Sequence, residues 1–201
     1  MPDACTTETV IDLLRHGEPV GGSRYRGQQD DELSEQGWQQ MWSALDGSAS
    51  WQQIVSSPLI RCHAFASELA KRHGIPLHSE TGFAEVGFGA WEGRTRAELE
   101  QLDPGQVARF LTDPVAHRPP GAEPLEAFVS RVNDAFGRMV ERYAGQSVLV
   151  VAHAGVIRAI IAGVLNMPPA AMYRIHVANA GITRLRTDSQ RGFSLLAHGV
   201  T

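Results

Sequence analysis

The sequence predicts an α/β fold, a three-layer sandwich in which a mostly parallel central sheet carries helices on both faces. Three observations lead to this class. Short apolar runs rich in β-branched residues alternate with stretches of helical period. The run at 147–152 is apolar almost throughout, as in a strand that is covered on both faces. Because helical stretches separate the strands, parallel pairing is favoured.

The strands are predicted from short apolar or alternating runs bounded by turn residues. The run Val10–Leu14 is the first of them, and Ser147–Ala152 gives the clearest central strand. The predicted strands cover about 9–14, 54–56, 77–79, 147–152, 173–177, 181–186 and 193–197.

The helix boundaries are predicted from capping residues. Ser34 is a candidate N-cap, Pro58 suits a first helical turn, and Gly74 is a typical helix stop. Thr95 and Glu98 have the spacing of a capping box. The predicted helices cover about 35–45, 57–72, 96–101, 105–111, 124–143 and 156–166.

Three segments between these elements are predicted to be loops. Residues 17–32 are polar and rich in glycine, residues 82–94 mix glycine with aromatic residues, and residues 114–124 are rich in proline. We expect a single domain over 1–201, with a lid-like insertion at about 82–124.

The composition narrows the classes of partner. The 201 residues are 43% hydrophobic and 20% charged, which is typical of a globular protein. The net charge of −4 argues against nucleic-acid binding, which needs a basic face. Any anion site must then be a local concentration of positive groups. Lys71 is the only lysine, so arginine, whose planar fork grips phosphate at two points, would supply them.

Cysteine usage and hydropathy indicate the compartment. Cys5 and Cys62 are too few for a disulfide framework or a zinc site. Residues 1–9 contain no apolar signal region, and no stretch reaches the length of a membrane span. We therefore expect a cytoplasmic protein that binds no membrane; a homodimer is possible.

Two predicted strands end in nearly the same signature. Arg15-His16-Gly17 follows the first strand, and His153-Ala154-Gly155 follows the strand at 147–152. Open α/β folds bind ligands at the carboxyl ends of their strands. A histidine beside a guanidinium, where glycine permits close approach, suits covalent phosphoryl chemistry.

Two further side chains complete a candidate catalytic set. Arg61 lies early in the helix after the second strand, where free N–H groups and the helix dipole favour an anion. Glu85 lies among aromatic residues, and a carboxyl group there could serve as a proton donor. Glu92 is its competitor, but its tight Trp-Glu-Gly turn favours bonds to backbone N–H groups. Glu18 is expected to have a structural role.

These motifs together resemble the histidine phosphatase superfamily, the phosphoglycerate-mutase-like group. The resemblance rests on 14–18, on 57–61, on Glu85 with 89–93, and on 151–155, which occur in the family's order. The segment 25–34 further resembles the α-ribazole phosphatase branch, although Glu32 stands where that branch has proline. The family implies a phosphoglycerate-mutase-like fold and a phosphatase acting through phosphohistidine.

The resemblance implies a role for each site residue. His16 would be the nucleophile, with its other ring nitrogen bonded to a backbone carbonyl. Arg15, Arg61 and a cationic His153 would hold the phosphoryl oxygens. Glu85 would protonate the leaving oxygen, and no metal or other cofactor would be needed.

By the same analogy the loop at 20–30 lies at the rim of the pocket. The backbone of Gly27 would be near the phosphate, while Tyr25 and Arg26 could contact a sugar or base of the substrate. The sequence alone allows a solvated loop equally well. The best single candidate for the substrate is α-ribazole 5′-phosphate, and another small phosphorylated metabolite is the alternative.

Two other functions stay open at this point. A mutase of the same fold would return the phosphoryl group to a sugar acid, but the modest connection at 94–147, with few basic residues, favours hydrolysis. A phosphate-binding module without turnover would have no use for a proton donor such as Glu85.

Overall fold

The computed structural model describes residues 8–45, 50–188 and 190–200. Their strands form one six-stranded sheet in the order β3-β2-β4-β1-β5-β6. The strands are β1 Thr9–Arg15, β2 Gln53–Ser56, β3 Leu77–Ser79, β4 Ser147–Ala152, β5 Ile182–Asp188 and β6 Gly192–Val200. Strands β1 to β4 are parallel to one another, and β5 pairs antiparallel with β1 and β6. The predicted α/β class with a mostly parallel sheet is confirmed.

Six α-helices and three short 3-10 helices connect or follow the described strands. The α-helices are α1 Glu35–Ala44, α2 Ile60–His73, α3 Arg96–Leu102, α4 Gln106–Thr112, α5 Leu125–Arg142 and α6 Ala154–Val164. The 3-10 helices are Thr81–Phe83, Gly89–Trp91 and Pro169–Arg174. Ser34 caps α1 by accepting from the Gly37 N–H, and Thr95 and Glu98 form the predicted capping box of α3.

Side chains that alternate along the central strands bury the two faces of the sheet separately. In β4, Val150 joins the core under α5 and α6, whereas Val151 joins the core under α1 and α2. Phe128 and Ile157 belong to the first core, and Phe65 belongs to the second. Since both faces are covered, β1 and β4 are held rigidly, and their carboxyl ends provide a firm base for a site.

A third, smaller core lies in the segment 82–124, here called the cap. Its buried residues come from one 3-10 helix and from α3 and α4: Trp91, Leu99, Val107 and Phe110. Tyr25 and Tyr173 pack against this core from outside the segment. The cap thus has its own apolar interior, and its opening as a lid stays a prediction.

Several predicted elements differ from the structure. The strand at 173–177 is wrong: Pro169–Arg174 is a 3-10 helix, and no strand is assigned from Ile175 to Gly181. Helix α2 begins at Ile60 rather than at 57, and α6 begins at Ala154, two residues before its predicted start. The carbonyls of Ile175 and Val177 explain the first error, because they accept hydrogen bonds from arginine side chains instead of a neighbouring strand.

Within the described ranges, no helix combines the length and apolar character needed to cross a bilayer. Cys62 is buried with a free thiol, and Cys5 lies outside the described residues. The cytoplasmic location and the homodimer stay predictions.

Candidate active site

The two histidines meet because the strands that carry them are neighbours. Strands β1 and β4 pair in register, with Arg15 beside Ala152, and the His16 N–H donates to the Ala152 carbonyl at 3.0 Å. The ring centroids of His16 and His153 lie 5.2 Å apart at an interplanar angle of 64°. The side chains are 5% and 0% exposed, respectively. Two residues 137 positions apart thus form one buried imidazole pair.

His16 has the form that a nucleophile needs. Its Nδ1 lies 2.7 Å from the carbonyl oxygen of Gly17. A carbonyl can only accept, so Nδ1 carries the proton and Nε2 keeps a free lone pair. Burial, with Arg15 and Arg61 nearby, holds the pKa of His16 well below its ordinary value of 6.5. The imidazole is therefore neutral at physiological pH.

His153 differs from its expected charge state. Burial is the main cause that holds its pKa well below 6.5, and Arg61 and His16 add to the effect. The expectation of a cationic ring is therefore wrong for the protein by itself. A phosphate dianion beside the ring would raise this pKa, because an opposite charge favours the charged form. The Nε2 atom lies 2.7 Å from the hydroxyl oxygen of Ser57.

The two expected phosphate-binding arginines are anchored by backbone carbonyls. Arg15 donates from one terminal nitrogen to Val177 at 2.6 Å, and Arg61 donates to Gly27 and Gln29 at 2.8 Å each. The Nε atoms of both side chains are buried without a hydrogen-bond partner among the described residues. Burial lowers the pKa of Arg15 to about 10, so this guanidinium remains charged at neutral pH.

The start of α2 is not the free anion site that the sequence predicts. The Ile60 N–H donates to Asp30 Oδ1 at 2.6 Å, so a carboxylate of the chain itself satisfies that group. Arg61, one residue further, is only 1% exposed. Its contribution to an anion site comes from the guanidinium rather than from the helix end.

Glu85 faces the cavity while backbone groups hold its carboxylate. Its Oε1 accepts from the Val86 N–H at 2.9 Å, and its Oε2 accepts from the Gly155 N–H at 3.1 Å. A Cβ on Gly155 would lie 2.2 Å from Glu85 Oε1, so only glycine permits this approach. Glu92, by contrast, accepts from the Gln28 and Phe88 N–H groups, which is the structural role predicted for it.

These side chains surround a cavity of about 640 Å³. Its lining includes four of the five predicted catalytic residues; His153 is the exception, because its ring is completely covered. The carboxylates in the lining are Glu18 and Glu85. The arginines in the lining are Arg15, Arg24, Arg26, Arg61, Arg96 and Arg158. The excess of cations makes the cavity suitable for an anion of high charge.

The loop at 20–30 lies at the rim of this cavity, as the sequence analysis expected. Tyr25 and Gly27 both line it, and the Tyr25 ring packs at 5.3 Å from Phe88. Arg26 also lines it, but its guanidinium binds Asp31 and the carbonyls of 20 and 22. Arg26 therefore holds the loop together, and its contact with substrate stays a prediction.

Sequence reasoning missed several residues of the cavity. Arg158 and Asn179 line it, and Ser57 bonds to His153. A signal existed for Arg158: it follows the second histidine motif by one helical turn, on the helix that begins there. Asn179 gave no signal, because it lies between the predicted strands at 173–177 and 181–186 and belongs to no motif.

The charge and geometry of the cavity suit a phosphoryl group, and the comparison with known families gives the family of the chain. Residues 11–200 match the model of the histidine phosphatase superfamily, branch 1. The chain therefore belongs to this superfamily.

Two curated relatives of the chain carry different names. A bifunctional protein of Mycobacterium tuberculosis is 33% identical over 182 residues, which cover 88% of this chain and 50% of that protein. The chain thus spans about half the length of that curated relative. An adenosylcobalamin/α-ribazole phosphatase of Salmonella typhimurium is 30% identical over 169 residues, which cover 82% of this chain and 84% of that protein.

A solved structure of similar fold holds inorganic phosphate. It is a mycobacterial glucosyl-3-phosphoglycerate phosphatase, 28% identical, with a TM-score of 0.81. The match covers 96% of this chain and 97% of the other.

Proposed function

We propose that this chain is a phosphomonoesterase that hydrolyses small phosphorylated metabolites through a phosphohistidine intermediate. One observation carries the proposal: a neutral, buried imidazole with a free Nε2 lies at the same cavity as a carboxyl group and two guanidinium groups, that of Arg61 buried and that of Arg15 half-buried. A site that only bound phosphate would gain nothing from the nucleophile or the carboxyl group.

In the first half-reaction, Nε2 of His16 attacks phosphorus in line with the ester oxygen. The P–Nε2 bond forms, the P–O bond breaks, and the leaving oxygen takes a proton from Glu85. In the second half-reaction, a water molecule gives a proton back to Glu85 and attacks phosphorus. The P–Nε2 bond then breaks, and inorganic phosphate leaves with His16 restored.

Arg15 and Arg61 stabilise the charge on the non-bridging oxygens during both steps. Their guanidinium groups are held by backbone carbonyls, so little reorganisation is needed when charge develops. Removal of one such group typically costs about 10²- to 10³-fold in rate. The same two cations supply charge that a magnesium ion would supply elsewhere, so we expect activity without a metal.

The substrate is proposed only as a class. The relatives with informative names act on different phosphate esters, one of them a glucosylated phosphoglycerate and another α-ribazole phosphate. α-Ribazole 5′-phosphate stays a candidate here, because Tyr25 and Phe88 give the cavity an aromatic wall on which a base could stack.

The decisive experiment traps the intermediate. After a rapid acid-free quench with ³²P-labelled ester, we expect acid-labile, base-stable label on the protein at His16. His16→Ala should carry none and should lose at least about 10³-fold in kcat. His73→Ala, at the exposed end of α2, is the matched control and should behave as the unmodified protein.

Two outcomes would overturn the proposal. One is normal turnover by His16→Ala, which would remove the covalent mechanism. The other is isomerisation of 3-phosphoglycerate without release of phosphate, which would indicate a mutase. The same assay with EDTA tests metal independence, and a strict metal requirement would contradict it.

A further inference from the structure

We propose that the cavity contains a second anion subsite, centred on Arg158, that selects phosphate esters whose leaving alcohol carries a carboxylate. This inference rests on the proposed function, because it names the class of ester that the phosphatase would accept. The cavity lining contains more arginines than the proposed phosphoryl transfer uses.

The six arginines of the lining fall into three groups. Arg15 and Arg61 lie beside the nucleophile and serve the phosphoryl oxygens. Arg26 is neutralised by Asp31 at 3.0 Å and bonded to loop carbonyls. Arg24 is exposed, lies 3.7 Å from Glu98 and donates to the Gly93 carbonyl at 2.8 Å. Arg158, which is partly buried, and Arg96, which is exposed, remain. A single phosphoryl group does not account for these last two charges.

Arg158 is fixed on the side of the site where the leaving group departs. It lies on α6, three residues after Gly155, whose N–H holds the Glu85 carboxylate. A proton donor must be next to the leaving oxygen, so the Glu85 side of the cavity is the leaving-group side. A charged substituent on the leaving alcohol would therefore reach Arg158 rather than Arg61.

The guanidinium of Arg158 is oriented but not neutralised. Its Nε donates to the Ile175 carbonyl at 2.8 Å, and its carbon centre lies 5.9 Å from the centroid of the Tyr173 ring. Among the described residues, no carboxylate forms an ion pair with it and its terminal nitrogens donate no hydrogen bond. Burial lowers its pKa, an effect that the nearby Glu85 carboxylate partly offsets. A held, partly buried cation without a counter-ion favours binding of an anion.

Asn179 provides a second group in the cavity lining that a ligand could satisfy. The Oδ1 atom of Asn179 is buried in the lining and accepts no hydrogen bond from the described residues. A buried acceptor without a donor is costly, and a hydroxyl group of the substrate would satisfy it. A carboxylate together with a hydroxyl group identifies the class as phosphorylated hydroxy acids, including sugar acids.

The test compares two esters that differ in one group. 3-Phosphoglycerate and glycerol 3-phosphate have the same ester linkage and the same neighbouring hydroxyl group, but only the first has a carboxylate. We expect the protein to prefer 3-phosphoglycerate by about 10- to 100-fold in kcat/KM for phosphate release, the range for a charged hydrogen bond. The preference should decrease as salt is added.

The variants assign the preference to one residue. Arg158→Gln should lower the ratio of kcat/KM between the two esters by at least about tenfold, and Arg158→Lys should retain part of it because the charge stays. Arg94→Gln is the matched control. Arg94 is exposed and lies two residues from Arg96, but it does not line the cavity, so its removal should leave the ratio unchanged.

Two results would overturn the inference: a ratio near one in the unmodified protein, or an equal loss on both esters in Arg158→Gln. The second would mean that Arg158 only supports the Ile175 backbone. Failure to hydrolyse any ester, p-nitrophenyl phosphate included, would instead refute the proposed function. Calorimetric binding of the two esters to His16→Ala still decides the subsite in that case, since equal affinities would refute it.

Discussion

Glu85 and Glu92, seven residues apart in one glycine- and aromatic-rich segment, perform different tasks. Glu92 joins two loops by accepting from Gln28 and Phe88. Glu85 faces the cavity, and two backbone N–H groups of the described residues hold its carboxylate. The sequence could predict this division, because a Trp-Glu-Gly turn has free N–H groups nearby. It could not predict that Glu85 rests on Gly155, since that contact joins distant parts of the chain.

The proposed proton-donor role of Glu85 predicts a dependence on the leaving group. Glu85→Gln should slow esters of aliphatic alcohols by about 10²- to 10⁴-fold, because an alkoxide cannot leave without a proton. The loss on p-nitrophenyl phosphate should be much smaller, since nitrophenolate is a stable leaving group. Steady-state kinetics on both esters measures the difference.

Glu92→Gln provides the comparison for that experiment. Among the described residues, its carboxylate accepts hydrogen bonds from backbone N–H groups, so any loss of activity should be the same for both esters. Equal losses in Glu85→Gln as well would remove Glu85 from the acid role.

At the scale of elements, the sequence located the ends of β1 and β4 because their apolar runs are long and their motifs distinctive. It failed at 173–177, where Tyr173, Ile175 and Val177 alternate as they would in a strand. The segment is nevertheless not a strand. Val177 is buried, but the carbonyls of Ile175 and Val177 accept hydrogen bonds from Arg158 and Arg15 rather than from a neighbouring strand. Local patterning cannot reveal a backbone whose partners are remote side chains.

The close packing of α1 on the end of β1 gives a prediction at this scale. A Cβ on Gly37 would lie 2.1 Å from the Glu18 carbonyl oxygen. Gly37→Ala should therefore lower the free energy of unfolding by about 1–3 kcal/mol, although alanine is the better helix former. Activity should also fall, because the displaced backbone adjoins Gly17 and His16.

The control for that substitution is another helical glycine. A Cβ on Gly137, within α5, would meet nothing within 4 Å. Gly137→Ala should therefore stabilise the protein by about 0.5–1 kcal/mol, as measured by urea unfolding. The contact argument would be wrong if both substitutions had the same sign.

At the scale of the whole molecule, the sheet buries two apolar cores and places an imidazole pair at their common edge. Keeping His16 and His153 neutral there has a cost that depends on pH. Their pKa values are lowered in the folded protein, so below pH 6.5 the unfolded chain binds more protons at these rings than the folded chain does. The two rings therefore leave the free energy of unfolding undiminished above about pH 6.5, and they lower it progressively as the pH falls below that value.

Urea unfolding between about pH 7 and pH 5 tests this directly. Below pH 6.5 the two rings should together lower the free energy of unfolding by up to about 2.7 kcal/mol per pH unit, or about 1.4 kcal/mol for each ring. His153→Gln should reduce the slope by about half in this window. An unchanged slope would show that the ring of His153 is protonated in the folded state.

The separate apolar core of the cap has a consequence for the evolution of substrate specificity. Trp91, Leu99 and Phe110 pack among themselves in a core separate from those on the sheet, while Arg96 of the same segment lines the cavity. Mutations could remodel that wall without disturbing the strands that hold the imidazoles. Proteins that share this fold could therefore change their substrate during evolution while the proposed catalytic residues stay unchanged.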